Sequence, residues 1–131
     1  MLRGQCHCGV ITFEVSEVPA VRTICNCRDC RRQSGAPIVA WAMMPVGALH
    51  VRGEPKVYSS SDSGRRSFCA NCGTGLFFTN AVLNQMGFVQ VRVAALDEPD
   101  AIEPQMQVQT AERIAWMQSA HMLPAFERFP G

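Results

Sequence analysis

The chain has 131 residues, a length that suits one domain, here 1–131, and its 47% apolar content fills one core rather than two. Charged residues are only 18%, the formal net charge is +1, and no block of like charge occurs, which argues against an obligate nucleic-acid binder. No apolar run reaches the length of a membrane span, and Met1 to Cys8 carries Arg3 without an apolar segment behind it. The expected compartment is therefore the cytosol, where thiols stay reduced.

In chain order, Val10 to Val15 alternates, with Ile11, Phe13 and Val15 on one strand face. Val21 to Ile24 reads as a strand running into a cysteine-rich loop, and Arg28 to Gly35 as one or two helical turns ended by Gly35. Ile38 to Met44 reads as a buried strand. Ala48 to Arg52 and Lys56 to Ser60 flank Gly53 and are expected to pair as a hairpin. Arg65 to Phe68, Gly75 to Thr79 and Phe88 to Leu96 are further strands, and "MQVQT" is the last. Ala111 to Met117 is expected to be a short helix, followed by an irregular tail rich in proline and glycine. The period of two dominates, so the expected class is mainly β with little helix.

All seven cysteines fall in three clusters: Cys6 and Cys8; Cys25, Cys27 and Cys30; Cys69 and Cys72. An odd count in a reducing compartment fits metal ligation better than a disulfide framework. A C-x-x-C followed by Gly is a zinc knuckle: the turn brings both sulfurs to one metal and glycine lets the chain leave with positive φ. A redox pair would open a helix in a βαβ setting, which is absent here. Pairing the two-cysteine clusters gives a closed four-thiolate site from Cys6, Cys8, Cys69 and Cys72. The remaining Cys25, Cys27 and Cys30 then make a three-thiolate site with one open position, the mark of a catalytic zinc. Spacing also allows another partition, with Cys27 and Cys30 joining Cys69 and Cys72 as a zinc ribbon. His7 lies between two ligands and is expected to point away from the metal. Arg28, Arg31, Arg32, Arg65 and Arg66 flank two of the clusters, where they offset thiolate charge or bind substrate.

The segments "GQCHCGVITFEV", "CNCRDCRRQSGAPIVAWAMMP", "FCANCGTGLFF", "AALDEPDAIEPQMQV" and "AWMQSAHMLPAFERFPG" run in order from Gly4 to Gly131. In them the sequence resembles the glutathione-dependent formaldehyde-activating enzyme family, which includes the centromere protein V branch. The resemblance implies a zinc-linked β-tent of small antiparallel sheets with one or two short helices. It also implies a pairing: Cys6, Cys8, Cys69 and Cys72 on a structural zinc, and Cys25, Cys27 and Cys30 on a second, catalytic and labile one. The implied activity is that of a carbon–sulfur lyase forming or cleaving S-hydroxymethylglutathione, with a small thiol such as glutathione and a small aldehyde as partners. Many relatives read "CHC" where this chain reads "CNC", so Asn26 departs from the pattern.

Three thiolates leave zinc a weak Lewis acid, better suited to holding a substrate thiol as thiolate than to making hydroxide. Arg32 and Ser34 are expected near the pocket, with Trp41 as a wall. The alternative is a non-catalytic, zinc-stabilised module for a protein or nucleic-acid partner; the near-neutral charge counts against nucleic acid.

Overall fold

Alternating apolar residues set the strands, and two sheets result in the computed structural model, which describes residues 1–130; Gly131 lies outside it. Strands β1 (Leu2–Gln5), β2 (Thr12–Val15) and β5 (Leu49–Arg52) form a three-stranded sheet in the order β1-β2-β5. Strands β3 (Val21–Cys25), β4 (Val39–Pro45), β6 (Lys56–Ser59), β7 (Arg65–Phe68), β8 (Gly75–Thr79), β9 (Phe88–Arg92) and β10 (Met106–Val108) form the other. Its order is β10-β3-β4-β9-β8-β7-β6, antiparallel except where β10 runs parallel to β3. The mainly β class with few short helices is as expected.

The larger sheet has two differently used faces. Phe77 and Phe78 are adjacent on β8 and so point to opposite sides. Phe77 joins Ala42, Met44, Val89 and Val91 in the main core, which the small sheet closes with Phe13 and Val15. The Phe13 and Phe77 rings meet edge to face, 5.2 Å between centroids, joining the two sheets. Phe78 instead joins Trp41, Val39, Cys25 and Cys30 in a second, smaller cluster on the opposite side. Gly4 sits where β1 meets this core: a Cβ there would lie 2.3 Å from Phe13 Cζ and 2.6 Å from the Ala95 carbonyl oxygen.

Helix α1 (Arg28–Ser34) is nucleated by the cysteine loop itself. The Cys27 sulfur is its N-cap, accepting from the Cys30 amide at 3.3 Å, and Gly35, at φ 68°, closes the other end. Helix α2 (Ala81–Met86) was not expected, although Asn80, whose side chain accepts from the Leu83 amide, and Gly87, at φ 75°, are ordinary start and stop signals.

Three expectations are corrected. Leu49–Arg52 and Lys56–Ser59 do not form a hairpin: β5 pairs with β2 and β6 with β7, so the segment at Gly53 carries the chain from one sheet to the other. Pro55 in that connection has no N–H to contribute to a ladder. The strand expected through Leu96 stops at Arg92, where Val93–Ala95 forms a 3-10 turn. The helix expected at Ala111 to Met117 is instead two 3-10 pieces, Thr110–Glu112 and Ala115–Met122, separated by extended backbone at Arg113 and Ile114. Among the described residues no helix is long and apolar enough to cross a membrane.

Candidate metal centres

The fold brings the seven cysteines together as four and three. The ligand atoms of Cys6, Cys8, Cys69 and Cys72 all lie within 4.8 Å of one another, and so do those of Cys25, Cys27 and Cys30. The zinc-ribbon partition is thereby set aside. All seven thiols are free of disulfides.

The four-cysteine cluster fits zinc on its own geometry. Thiolates about 2.3 Å from one tetrahedral zinc stand about 3.8 Å apart. The Cys6 and Cys8 sulfurs are 3.6 Å apart and those of Cys8 and Cys69 3.8 Å, too long for an S–S bond and right for a shared ion. Backbone amides point at the sulfurs as they do toward thiolates: Ile11 N–H donates to Cys6 Sγ at 3.3 Å and Cys72 N–H to Cys69 Sγ at 3.4 Å. Gly73, at φ 85°, turns the chain out of the knuckle, and its amide donates to the Cys69 carbonyl at 2.8 Å. A hydrogen bond with the Thr74 hydroxyl is the main cause that holds the Cys72 thiol down at about 5. Cys6 and Cys8 follow β1 of the small sheet and Cys69 and Cys72 follow β7 of the large one, so this cluster ties the two sheets together. His7 is exposed, and its amide donates to Thr74.

The three-cysteine cluster lies on the other face of the large sheet. Cys25 ends β3, Cys27 caps α1 and Cys30 is in its first turn, so strand, loop and helix each supply one sulfur. Among the described residues no fourth Cys, His, Asp or Glu atom joins them. The Cys30 thiol is held down at about 5, first by a hydrogen bond from Cys25, then by Cys27, Trp41 and the Arg66 charge, against the effect of burial. The Cys25 thiol is pushed up, first by that same bond to Cys30 and then by burial. Three sulfurs, one of them favoured as thiolate, suit a soft borderline metal such as zinc.

Around these sulfurs the sheet register assembles a row that the sequence does not display. Arg66 on β7 stands opposite Phe78 on β8, and Trp41 on β4 opposite Arg92 on β9. The Arg66 guanidinium lies 4.8 Å from the Phe78 ring centroid, that of Arg92 lies 5.0 Å from Trp41, and the two rings are 6.1 Å apart. Arg66, only 5% exposed, directs Nη1 and Nη2 to Cys30 Sγ at 3.9 and 3.8 Å.

The residues expected near the pocket are placed as follows. Trp41 is 5% exposed and lies beneath the sulfurs as part of the floor. Arg32 is exposed and borders two clefts, one with Ile114 and Trp116 and one with Asp29, Tyr58 and Arg66. Ser34 borders a third cleft, but its hydroxyl donates to the Arg31 carbonyl at 3.3 Å and accepts from the Ala36 amide, closing the helix end. Asn26 is 1% exposed, and its Nδ2 donates to the Val108 carbonyl at 3.1 Å and to Gln107 Oε1 at 3.4 Å, fastening β10 to the cysteine loop. Arg92 and Gln33 were missed; only the pairing of β4 with β9 reveals Arg92.

A profile described as glutathione-dependent formaldehyde-activating enzyme matches residues 1–112, most of the chain. The chain belongs to that family. A protein of Schizosaccharomyces pombe named an uncharacterized lyase is 32% identical over 76 residues, 57% of this chain. The match covers 55% of that relative, so the chain spans about half the length of the curated protein it resembles. A crystal structure of a Rhodobacter sphaeroides protein aligns with a TM-score of 0.63 at 26% identity, covering 81% of this chain and 99% of that one.

Proposed function

We propose that this family member is a zinc-dependent enzyme of the carbon–sulfur lyase type that forms or cleaves adducts between a small thiol and a small aldehyde, as in S-hydroxymethylglutathione. The observation that carries this reading is the contrast between the two clusters. Four sulfurs close one centre, whereas Cys25, Cys27 and Cys30 have no fourth protein ligand among the described residues. A zinc held by those three would supply the means to keep a substrate thiol ionised near neutral pH, where a free thiol of pKa about 8.5 is mostly protonated.

The chain's own residues support that task. Arg66 faces Cys30 and balances the negative charge of the sulfurs. Trp41 and Phe78 make the floor apolar and keep water from beneath the sulfurs. Arg32 borders the approach from the α1 side. The net reaction adds S–H across C=O: a carbon–sulfur bond forms, the carbonyl becomes a hydroxyl, and the thiol proton ends on oxygen. The reverse reaction breaks the same bond, and neither direction needs an oxidant.

Cys27→Ser tests the reading. The variant is expected to fold, to keep one zinc per chain, and to lose acceleration of adduct formation or breakdown between formaldehyde and glutathione. Spontaneous condensation is substantial, so the quantity is the rate above buffer. Wild-type protein that holds two zinc ions and gives no acceleration would overturn the enzyme reading. A non-catalytic module would then move ahead, and one observation favours it: Trp116, Met122, Leu123, Phe126 and Phe129 leave an exposed apolar tail.

A further inference from the structure

Past Arg113 the chain stops bonding to the domain. Among the described residues every hydrogen bond from Ile114 onward is local to the segment: Met117 N–H donates to the Ile114 carbonyl, Leu123 N–H to the Ala120 carbonyl and the Arg128 guanidinium to the Glu127 carbonyl. His121 to Pro130 are exposed without exception. Yet this arm and its root are apolar. Trp116, Met122, Leu123, Phe126 and Phe129 all stand mostly in water, Phe129 at 98%. These five leave roughly 700 Å² of apolar surface uncovered, taking about 150–250 Å² for a whole aromatic side chain. A monomer rarely leaves a patch of that size to water.

Beside α1 lies a cleft of about 360 Å³ lined by Gly35, Ala36, Pro37, Ile114 and Trp116, with Arg32 at its border. No residue after Trp116 enters it. The arm therefore leaves from the wall of an unfilled apolar cleft, and knob and hole lie side by side on one molecule. The non-catalytic reading gives the arm to a different protein; three observations give it to a second copy of this chain. The first is the size of the cleft. It seats a ring or two, not five side chains, so an arm folded back on its own body would leave the others wet. The second is area. A two-fold contact uses every surface twice, filling both clefts and covering both arms at once. A stable interface covers about 800 Å² on each partner, which the two arms supply. The third is charge. The arm carries Glu127 beside Arg128, and neither Glu127 nor the exposed Arg32 at the cleft has an ion pair among the described residues. With a net charge of +1 two copies hardly repel. Pro124 and Pro130 bracket the two phenylalanines and stiffen the arm, which lowers the entropy lost on docking.

We infer that residues 121–130 are an exchange arm: in a two-fold dimer each copy lays Phe126 and Phe129 into the cleft between Pro37 and Trp116 of the other, with Glu127 set against that copy's Arg32. Buried aromatic anchors in a pocket, with a charge at the rim, are the usual source of binding energy and register in such contacts. The surface takes no cysteine from either metal centre, so it needs neither zinc chemistry nor the lyase reading. Helix α1 carries Cys30 and runs into the cleft at Gly35, so the arm of the second copy packs beside the helix that holds the open centre.

Sedimentation velocity on the zinc-loaded full chain tests this, with zinc per chain and circular dichroism as the controls for folding. The parent should run at twice the chain mass at about 50 µM and dissociate on dilution. Phe126→Ser combined with Phe129→Ser should raise the dissociation constant about a hundredfold at unchanged zinc content. Ala36→Arg, which blocks the cleft, should do the same. A mixture of the arm variant with the cleft variant should regain a mixed dimer, since one intact arm then meets one intact cleft. Glu127→Arg and Arg32→Glu should each weaken the dimer about threefold to tenfold, and the two together should restore it. That charge reversal decides the matter if Ala36→Arg fails to fold. A parent that stays monomeric at about 50 µM would overturn the inference, and so leave the arm to its own body or to a different protein. A dimer unmoved by the arm and charge variants would overturn it as well, because some other surface would then join the copies. Masses that grow past the dimer would show a contact that does not close, and would overturn the two-fold arrangement.

Discussion

Replacing Cys69 with Ser should cost the protein its fold under conditions where the parent is stable. Cys69 is 1% exposed, its sulfur accepts from the Cys72 amide, and it stands 3.8 Å from Cys8 Sγ, 61 residues earlier in the chain. A link between those positions closes a long loop in the unfolded chain. The chain-entropy relation for a crosslink of that length gives about 4 kcal/mol. A domain of this size is stable by about 5–15 kcal/mol in total, so the loss is a large share. Each kcal/mol moves the melting temperature by about 3–4 °C at this length, so a drop of about 12–16 °C is the minimum expected. Metal binding linked to folding adds to it. The assay is thermal unfolding followed by circular dichroism, with zinc per chain measured on the same samples. A variant that melts cooperatively within about 3 °C of the parent and keeps the same zinc content would refute the reasoning. The three-cysteine cluster is the internal control: the short segment from Cys25 to Cys30 gives only about 2 kcal/mol by the same relation, so Cys27→Ser should lose zinc with a far smaller shift.

Titration with a chelator should release zinc in two steps, the three-cysteine centre first; a single step from both would contradict an open site. Gly4→Ala forces a Cβ against the Ala95 carbonyl oxygen at 2.6 Å and the Phe13 ring, so denaturant unfolding should show a loss of about 1–3 kcal/mol or more. Asn26→Ala removes the donor to the Val108 carbonyl and should cost about 1–3 kcal/mol in the same assay, without changing zinc content; loss of zinc would give Asn26 a role at the metal.

Ligand type and clustering made metal binding legible, but spacing left two partitions open and only the family resemblance implied the four-and-three pairing that the fold assembles; the strands were legible because alternation carries them. Ile11, Phe13 and Val15 are buried as their period requires, while Thr12 and Glu14 between them are half-buried. The Gly53 connection was misread because a turn residue between two β runs looks the same whether the runs pair with each other or with distant strands. Only the partners β2 and β7 decide it. The same limit hid the site's electrostatics. Arg92 lies 62 positions from Cys30 in sequence, and its relation to Trp41 exists only through the β4–β9 register. Asn26 was noticed as a departure from a pattern, but its actual partners, Gln107 and Val108, are more than eighty positions away.

The two centres divide the work along the two faces of the large sheet. The four-cysteine cluster joins the main core, where Cys6 and Cys69 pack with Phe13 and Phe77 of the two sheets. The three-cysteine cluster belongs to the smaller apolar group with Trp41 and Val39, and it closes only a strand, a loop and a helix that adjoin in sequence. Arg66, Gln90 and Arg92, each with a buried side-chain atom that has no partner among the described residues, pair in register with Phe78 and Trp41 on that second side. A fold held from one face is free to keep unpaired arginines and an incomplete ligand set on the other. That separation is why Cys27→Ser is informative about chemistry while Cys69→Ser is informative about stability.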